Sequence, residues 1–500
     1  MKLPATWPDR LAYALMALAT VLYVVTSVTA ALANPYWMDE VLAVWAARLP
    51  TAGAVWGALS KGAEFSPPVF HWLLHALVKL GLHGRLAMRG ASILAVYGVA
   101  WCAFVLVRRR REAGPAALAF TLVLASGLAD YAVQARPYAL VVLCFALAVV
   151  LWHGLPRRTR LWPSLAGIAG LLALAVGLHF YAVVLAGTLG LVELAWAVKH
   201  RRLRWPVIAA ITAGGTSILL WWPILQHVSA FNRGDTAAPY YYAHPTLLKL
   251  GATYVRALAG HTQVLASPLP LLMLAGVAAF GLSLRTRWRI GDLDLVGVGA
   301  CLIPVIVFGF AVMISHTFNE RYAIACVLGF ALLLARSAAA LPFSRWTALG
   351  LGAVLLAGML FPLRTAPLTD DLRADAALAE RAPPGLPIVT GNGLRFLELS
   401  ENTDPKTAAR LVYLTAPDES LLGDPTNEHQ VERWKTIEPR LAVGPAAPFF
   451  ATHRQFLLFR DPDAAAEVPS LFDPDEATVE VVGRASSASL SRVTLNDSAP

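Results

Sequence analysis

Apolar runs long enough to cross a bilayer recur along the chain up to about residue 362 and then cease. A crossing helix needs about 20 mainly apolar residues. Such runs fall near 11–33, 87–107, 115–131, 138–154, 161–178, 181–198, 205–225, 268–284, 294–315, 322–336 and 346–362. The pattern predicts a mainly α, polytopic membrane bundle of about 11 spans over 1–362. Beyond it, Asp, Glu, Arg and Pro become frequent and short β-like runs appear: Leu386–Thr390, Arg410–Thr415, Gln455–Arg460, Thr478–Val482 and Ser489–Leu495. A helical stretch, Asp370–Arg381, precedes the first. Residues 363–500 therefore read as a soluble α/β domain, large enough for its own core.

Basic positions orient the bundle. Arg108 to Arg111 follow one span; Arg157, Arg158 and Arg160 follow another. Lys199, Arg201, Arg202 and Arg204 form a third cluster, Arg285, Arg287 and Arg289 a fourth, and Arg336 with Arg345 a fifth. All five fall on one side, which the positive-inside rule makes cytoplasmic; Lys2 and Arg10 place the amino terminus there too. The domain after Pro362 then lies outside. Pro68–Leu82 is apolar enough to cross, but counting it would invert every later loop. Its His71, His75 and Lys79 recur at steps of four, on one helical stripe. It reads as an amphipathic helix at the outer surface, with Trp45, Trp56 and Trp72 as interfacial neighbours. The first external loop is accordingly long, about 34–86.

Composition fixes the class. The chain is 57% hydrophobic and 15% charged, against about 25% charged in a soluble domain. Its net charge of +9 resides in the clusters between spans, so it reports topology rather than a nucleic-acid surface. Cys102, Cys144, Cys301 and Cys326 all fall in apolar runs without paired spacing, which implies neither a disulfide framework nor a zinc site. The first span is too long for a signal-peptide core and reads as a retained anchor. No glycine-rich phosphate loop is present, so a nucleotide-sugar donor is not indicated.

The external ends carry the candidate chemistry. The first loop holds Asp39, Glu40 and Glu64. Carboxylates at a membrane surface are solvated or used. The next external turns supply Asp130, Tyr131, Gln134, Arg136 and Tyr138, then His179, Phe180 and Tyr181. A longer loop, about 226–267, holds Asn232, Arg233, Asp235, Tyr240, Tyr241, Tyr242, His244 and His261. The last turn supplies His316, Asn319, Glu320, Arg321 and Tyr322, and Arg89 lies near the start of the second span. External arginines run against the positive-inside rule. A guanidinium binds phosphate through its planar fork, so a lipid phosphate at the outer leaflet is the natural ligand. The structural alternative is that each snorkels or pairs with a neighbouring acid. His71 and His75, at i and i+4, could hold a metal, but a polar helix face explains them too. Glu193 is an intramembrane acid near the cytoplasmic end.

Together these residues resemble the GT-C superfamily of membrane glycosyltransferases, and within it glycosyltransferase family 39. That family includes dolichyl-phosphate-mannose protein mannosyltransferases and lipid A aminoarabinose transferases. The resemblance covers about residues 10–340 and rests on order and spacing: Asp39-Glu40 after the first span, then Ser66-Pro67-Pro68-Val69-Phe70-His71-Trp72, similar to the family's Pro-Pro-Leu-Tyr-Tyr-Trp segment. It continues through Arg89, Gln134-Ala135-Arg136-Pro137-Tyr138-Ala139-Leu140, His179-Phe180-Tyr181 and Glu320-Arg321-Tyr322. The aminoarabinose transferases have Glu-Lys before the double proline; here Glu64-Phe65-Ser66 stands there, which argues against a lipid A acceptor.

The resemblance implies a polyprenyl-phosphate sugar donor at the outer face of the cell inner membrane. A hydroxyl of a glycolipid, glycan or protein would accept a hexose or pentose with inversion. Asp39 would be the base, with Glu40 orienting the acceptor or assisting. Arg136 and Arg321, with Arg89 as a third, would stabilise the phosphate leaving group. Glu64, Gln134, Tyr138, His179, Tyr181, Glu320 and Tyr322 would complete the substrate site. A divalent metal ion stays open. The competing readings are a lipid or sugar transporter or flippase, and a polysaccharide ligase with a lipid-diphosphate donor.

Overall fold

The computed structural model describes residues 7–108, 113–157, 159–234, 243–259, 290–341, 343–360, 367–415, 425–460, 477–485 and 488–496. The chain forms two compact units: Met1–Leu32 with Ser66–Thr365, and Ala33–Phe65 with Ala366–Pro500. The loop 34–86 is thus divided. Its first part, grouped above with the membrane portion, folds together with the C-terminal segment.

The first unit is helical. Among the described residues, four helices are long and apolar enough to cross a membrane: Trp7–Ala33, Arg85–Arg108, Ala182–His200 and Trp205–Val228. The pair Asp292–Cys301 and Ile303–Ser315, bent by 45°, adds a fifth if it counts as one span. Ala113–Ala125, Tyr138–Gly154, Trp162–Leu178, Cys326–Ala338 and Ser344–Leu360 coincide with expected spans but are shorter. The run at 268–284, the clusters Arg109–Arg111 and Arg285–Arg289, and Arg158, Asp235, Tyr240, Tyr241, Tyr242 and His261 lie outside the described residues. Pro68–Leu82 does contain a helix, Val69–Lys79. Its His71 and His75 are buried, however, so the histidine stripe turns inward rather than to a polar surface. A bond of 3.3 Å between His71 Nδ1 and the Pro67 carbonyl occupies one of these rings.

Members of two of the basic clusters, Lys199 and Arg336, reach acids in the first turn of helix Asp292–Cys301. Lys199 Nζ donates to Asp292 Oδ1 at 2.7 Å, and the His200 ring lies 3.0 Å from the same oxygen. Arg336 pairs with Asp294 at 3.2 Å. Glu193, fully buried, accepts from Arg204 Nε at 2.9 Å and from Trp152 Nε1 at 2.7 Å. Arg204 also lies 3.5 Å from the Trp196 ring centroid. The intramembrane acid is therefore neutralised within the fold.

The second unit is α/β. Its strands are β1 (Ile388–Thr390), β2 (Leu411–Thr415), β3 (Val443–Pro445), β4 (Gln455–Arg460), β5 (Ala477–Arg484) and β6 (Ser489–Leu495), in sheet order β3-β2-β1-β4-β6-β5. The first four positions of that order are mutually parallel, and β6 runs antiparallel to both of its neighbours, β4 and β5. Parallel neighbours need crossover connections; the helices Gly393–Asn402 and Pro425–Ile437 lie between β1 and β2 and between β2 and β3. Val389, Leu414, Phe456, Leu458, Val493 and Leu495 form the core on one face. Tyr413, adjacent in β2 and so on the other face, meets Phe396 of helix Gly393–Asn402 at 5.8 Å.

Candidate active site

In the helical unit, residues from three separated turns converge at the end away from the basic clusters. Helix Ala182–His200 shows the separation: Tyr181 precedes its first residue and Lys199–His200 end it. At 1.5 Å per residue the two regions are about 28 Å apart. Proline 137 starts the helix that begins at Tyr138, and the Tyr138 ring becomes a hub. Arg136 Cζ lies 5.7 Å from its centroid and Arg321 Cζ 5.6 Å. Arg136 Nη2 also donates to the Tyr138 hydroxyl at 3.4 Å. Cation–π contacts hold guanidinium planes in place. The rings of Tyr131 and His179 pack on Tyr138 at 5.5 and 5.3 Å.

Around this hub the aromatic wall continues. His179 lies 5.1 Å from Tyr322, which stacks on Tyr181 at 4.0 Å. His179 Nδ1 accepts the backbone N–H of Tyr181 at 3.2 Å. A ring nitrogen that accepts cannot carry the proton, so in the neutral ring Nε2 carries it and is the donor. The Tyr181 hydroxyl meets Ser315 Oγ at 2.5 Å and donates to the Thr317 carbonyl. Both partners face it because the chain makes a π turn at Ala311–Ser315 and enters the left-handed region at His316, φ 55°. Tyr138, His179, Tyr181, Arg321 and Tyr322 line a pocket whose remaining wall is Val141, Val142, Ala182, Leu185, Ile324 and Ala325. The lining thus combines polar and aromatic groups with aliphatic ones.

A second ring of contacts supports the hub. Arg256, in helix Leu247–Ala259, donates to Glu320 Oε1 at 2.7 Å. Gly127, which opens the 3₁₀ turn Gly127–Tyr131, lies so close to that helix that a Cβ would sit 2.1 Å from the Arg256 carbonyl oxygen. Only glycine allows that approach. Ser92 Oγ donates to the Arg136 carbonyl at 3.1 Å, fixing the turn from the other side.

The remaining expected residues lie elsewhere. Arg89 is buried and its Nη1 donates to the Ala31 carbonyl at 2.9 Å, near the end of helix Trp7–Ala33. That is favourable capping of a helix C-terminus, and Arg89 does not line the pocket. Gln134 is half-buried and does not line it either. Asp39, Glu40 and Glu64 belong to the other unit. Asp39 and Glu40 sit in the first turn of helix Met38–Arg48. Asp39 is half-buried, whereas Glu40 is buried and accepts the Trp37 backbone N–H at 3.4 Å, so it secures its own helix start. Glu64 is buried. Among the described residues no group of three or more His, Cys, Asp or Glu side chains could hold a metal ion. Sequence reasoning missed Arg256, Ser315 and Thr317. An arginine within the apolar stretch Tyr254–Ala259 was a readable signal for the first; the other two became visible only through their contact with Tyr181.

No protein-family model and no curated protein matches the chain. Solved structures do. ArnT from Cupriavidus metallidurans in the apo state is similar with a TM-score of 0.59 at 14% identity, over 96% of this chain and 97% of that one. The same protein bound to undecaprenyl phosphate is similar with a TM-score of 0.57 at 14% identity, over 95% and 97%. The chain therefore has a fold similar to that of ArnT, with four described helices long and apolar enough to cross a membrane.

Proposed function

We propose that this protein is an inverting glycosyltransferase that moves a hexose or pentose from a polyprenyl-phosphate donor to a hydroxyl acceptor at the outer face of the inner membrane. The observation that carries the reading is the convergence of Arg136 and Arg321 on the Tyr138 ring, which with Arg321 lines a pocket of mixed polar, aromatic and aliphatic side chains. That combination suits a phosphate on an isoprenoid chain. The fold it sits on is one whose solved relative holds undecaprenyl phosphate.

The residues divide the chemistry. Asp39 accepts the proton of the acceptor hydroxyl as its oxygen attacks the anomeric carbon. The bond from that carbon to the phosphate oxygen breaks, and the phosphate leaves with the electron pair. Phosphate needs charge stabilisation rather than a proton, which Arg136 and Arg321 provide. His179, with its proton on Nε2, adds a donor, and Tyr181 and Tyr322 form the aromatic wall. Attack opposite the leaving group inverts the centre. The acceptor is a glycolipid, glycan or protein hydroxyl.

Asp39→Asn keeps the shape and removes the base. Transfer from a panel of undecaprenyl-phosphate hexoses and pentoses, read by product mass, should fall about 100-fold or more, with binding of undecaprenyl phosphate retained. Full transfer by the variant removes Asp39 as base. A wild type that transfers none of the panel yet moves these lipids across vesicles is a flippase instead.

A further inference from the structure

The C-terminal α/β unit has no chemistry of its own in the account above, yet it touches the segment that bears Asp39 at both ends of one helix. We infer that the helix Gly393–Asn402 is a clamp that positions Asp39, with Glu398, Glu401 and Asn402 as its positioning residues; this rests on Asp39 being the base.

At the entry to helix Met38–Arg48, Asn402 Oδ1 accepts the Tyr36 backbone N–H at 2.8 Å while its Nδ2 donates to the Tyr36 carbonyl at 2.6 Å. One amide side chain thereby satisfies both backbone groups of one residue. The same Nδ2 donates to the Glu398 carbonyl at 2.9 Å, which fixes the amide's orientation. Glu398 Oε1 accepts the Met38 N–H at 3.1 Å. That N–H is one of the four donors a helix start leaves unmet, and a carboxylate there also complements the helix dipole. Glu398 is in turn held by Arg395 at 3.2 Å, which reaches the buried Asp375 at 3.3 Å.

At the far end Glu401 takes both arms of Arg48, at 2.7 and 2.8 Å, and the Trp45 indole N–H at 2.9 Å. Trp45 also meets Trp434 edge-on at 5.4 Å, and Trp434 Nε1 donates to the Ala63 carbonyl at 3.1 Å. Glu398, Glu401 and Asn402 stand at i, i+3 and i+4, on one face of their helix. Met38, Val41, Trp45 and Arg48 share the facing stripe on theirs. Asp39 is one step of about 100° round from Met38, off that stripe, and half-buried. The clamp thus grips the helix along a stripe that does not include Asp39, and contacts at both ends fix its position and rotation.

Displacing a catalytic group by about 1 Å can cost about 100-fold in rate. The test uses the full-length protein, the same undecaprenyl-phosphate panel, and hydrogen exchange over 36–48. Glu401→Ala and Asn402→Ala should each lower kcat about tenfold or more, leave undecaprenyl phosphate binding unchanged, and raise exchange over 36–48. Arg48→Glu should do the same, and Arg48→Glu with Glu401→Arg should recover part of the rate. Raised exchange with wild-type kcat makes the contacts merely structural and overturns the inference. So does unchanged exchange with unchanged kcat. Asp39→Asn, run in parallel, separates the two failures: full transfer there defeats the base itself, while its loss beside intact clamp variants defeats only the clamp.

Discussion

The two ends of the helical unit use arginine differently. At one, Arg204 is bonded to Glu193, Arg336 to Asp294, and Lys199 shares Asp292 with His200. At the other, Arg136 and Arg321 stand over the Tyr138 ring, and Arg321 but not Arg136 lines the pocket. The same helices supply both: Tyr138 begins the helix that carries Trp152 near its end, and Arg336 ends the helix that Arg321 precedes. Charge matched by a buried carboxylate holds helices in register. A guanidinium set over an aromatic face is oriented by that ring. The lesson is that the number of basic residues says little; what holds each one decides its role.

The largest way to break that contrast is at the matched end. Arg204→Ala removes the ion-pair partner of the buried Glu193, which should destabilise the protein by about 3–5 kcal/mol. Thermal unfolding in detergent would show it. The folded fraction should still bind undecaprenyl phosphate with wild-type affinity, because Arg204 lies a helix length from the pocket. A binding loss equal to that of a pocket variant would erase the distinction between the ends.

Gly127→Ala comes next. A methyl group 2.1 Å from the Arg256 carbonyl oxygen forces the 3₁₀ turn and helix Leu247–Ala259 apart. Overpacking of this kind costs about 1–3 kcal/mol. It should also weaken undecaprenyl phosphate binding, since the turn carries Tyr131, which packs on Tyr138. A stable variant with unchanged binding would detach that turn from the site.

Tyr181→Phe is the mildest. It removes the hydroxyl bonded to Ser315 and Thr317 but keeps the ring stacked on Tyr322. About 1 kcal/mol of stability should go, with little loss of binding, whereas Tyr181→Ala should lose binding too. Equal binding by both variants would deny the ring its part in the wall.

Much of this was legible in the sequence, for reasons that residues make plain. Tyr138, His179, Tyr181, Arg321 and Tyr322 were all foreseen and all line one pocket, because they sit at helix starts and turns whose place along the chain follows from span lengths. The strands in 386–390, 410–415, 455–460, 478–482 and 489–495 were equally readable from short apolar runs. β3 was not: Val443-Gly444-Pro445 is a three-residue edge strand with glycine and proline, the residues least suggestive of a strand. Arg89 looked like a phosphate ligand, but nothing local reveals a bond to a carbonyl 58 residues earlier. The clamp on Met38–Arg48 joins residues more than 350 positions apart and leaves no periodic trace. His71 and His75 show the reverse error: regular spacing identified a helix face correctly but not the direction it turns.

The lipid phosphate is expected at the Tyr138 end of the helical unit and not at the end that carries Arg204. The most direct measurement is the Kd for undecaprenyl phosphate of the wild type, Arg136→Lys, Arg321→Lys and Arg204→Lys in one detergent. A bond to a charged group contributes about 1.5–3 kcal/mol, and a lysine cannot reproduce the planar fork. Arg136→Lys and Arg321→Lys should therefore each weaken binding about tenfold or more, and Arg204→Lys should leave it unchanged. Wild-type affinity in both the Arg136 and Arg321 variants, or equal weakening in all three, would contradict this.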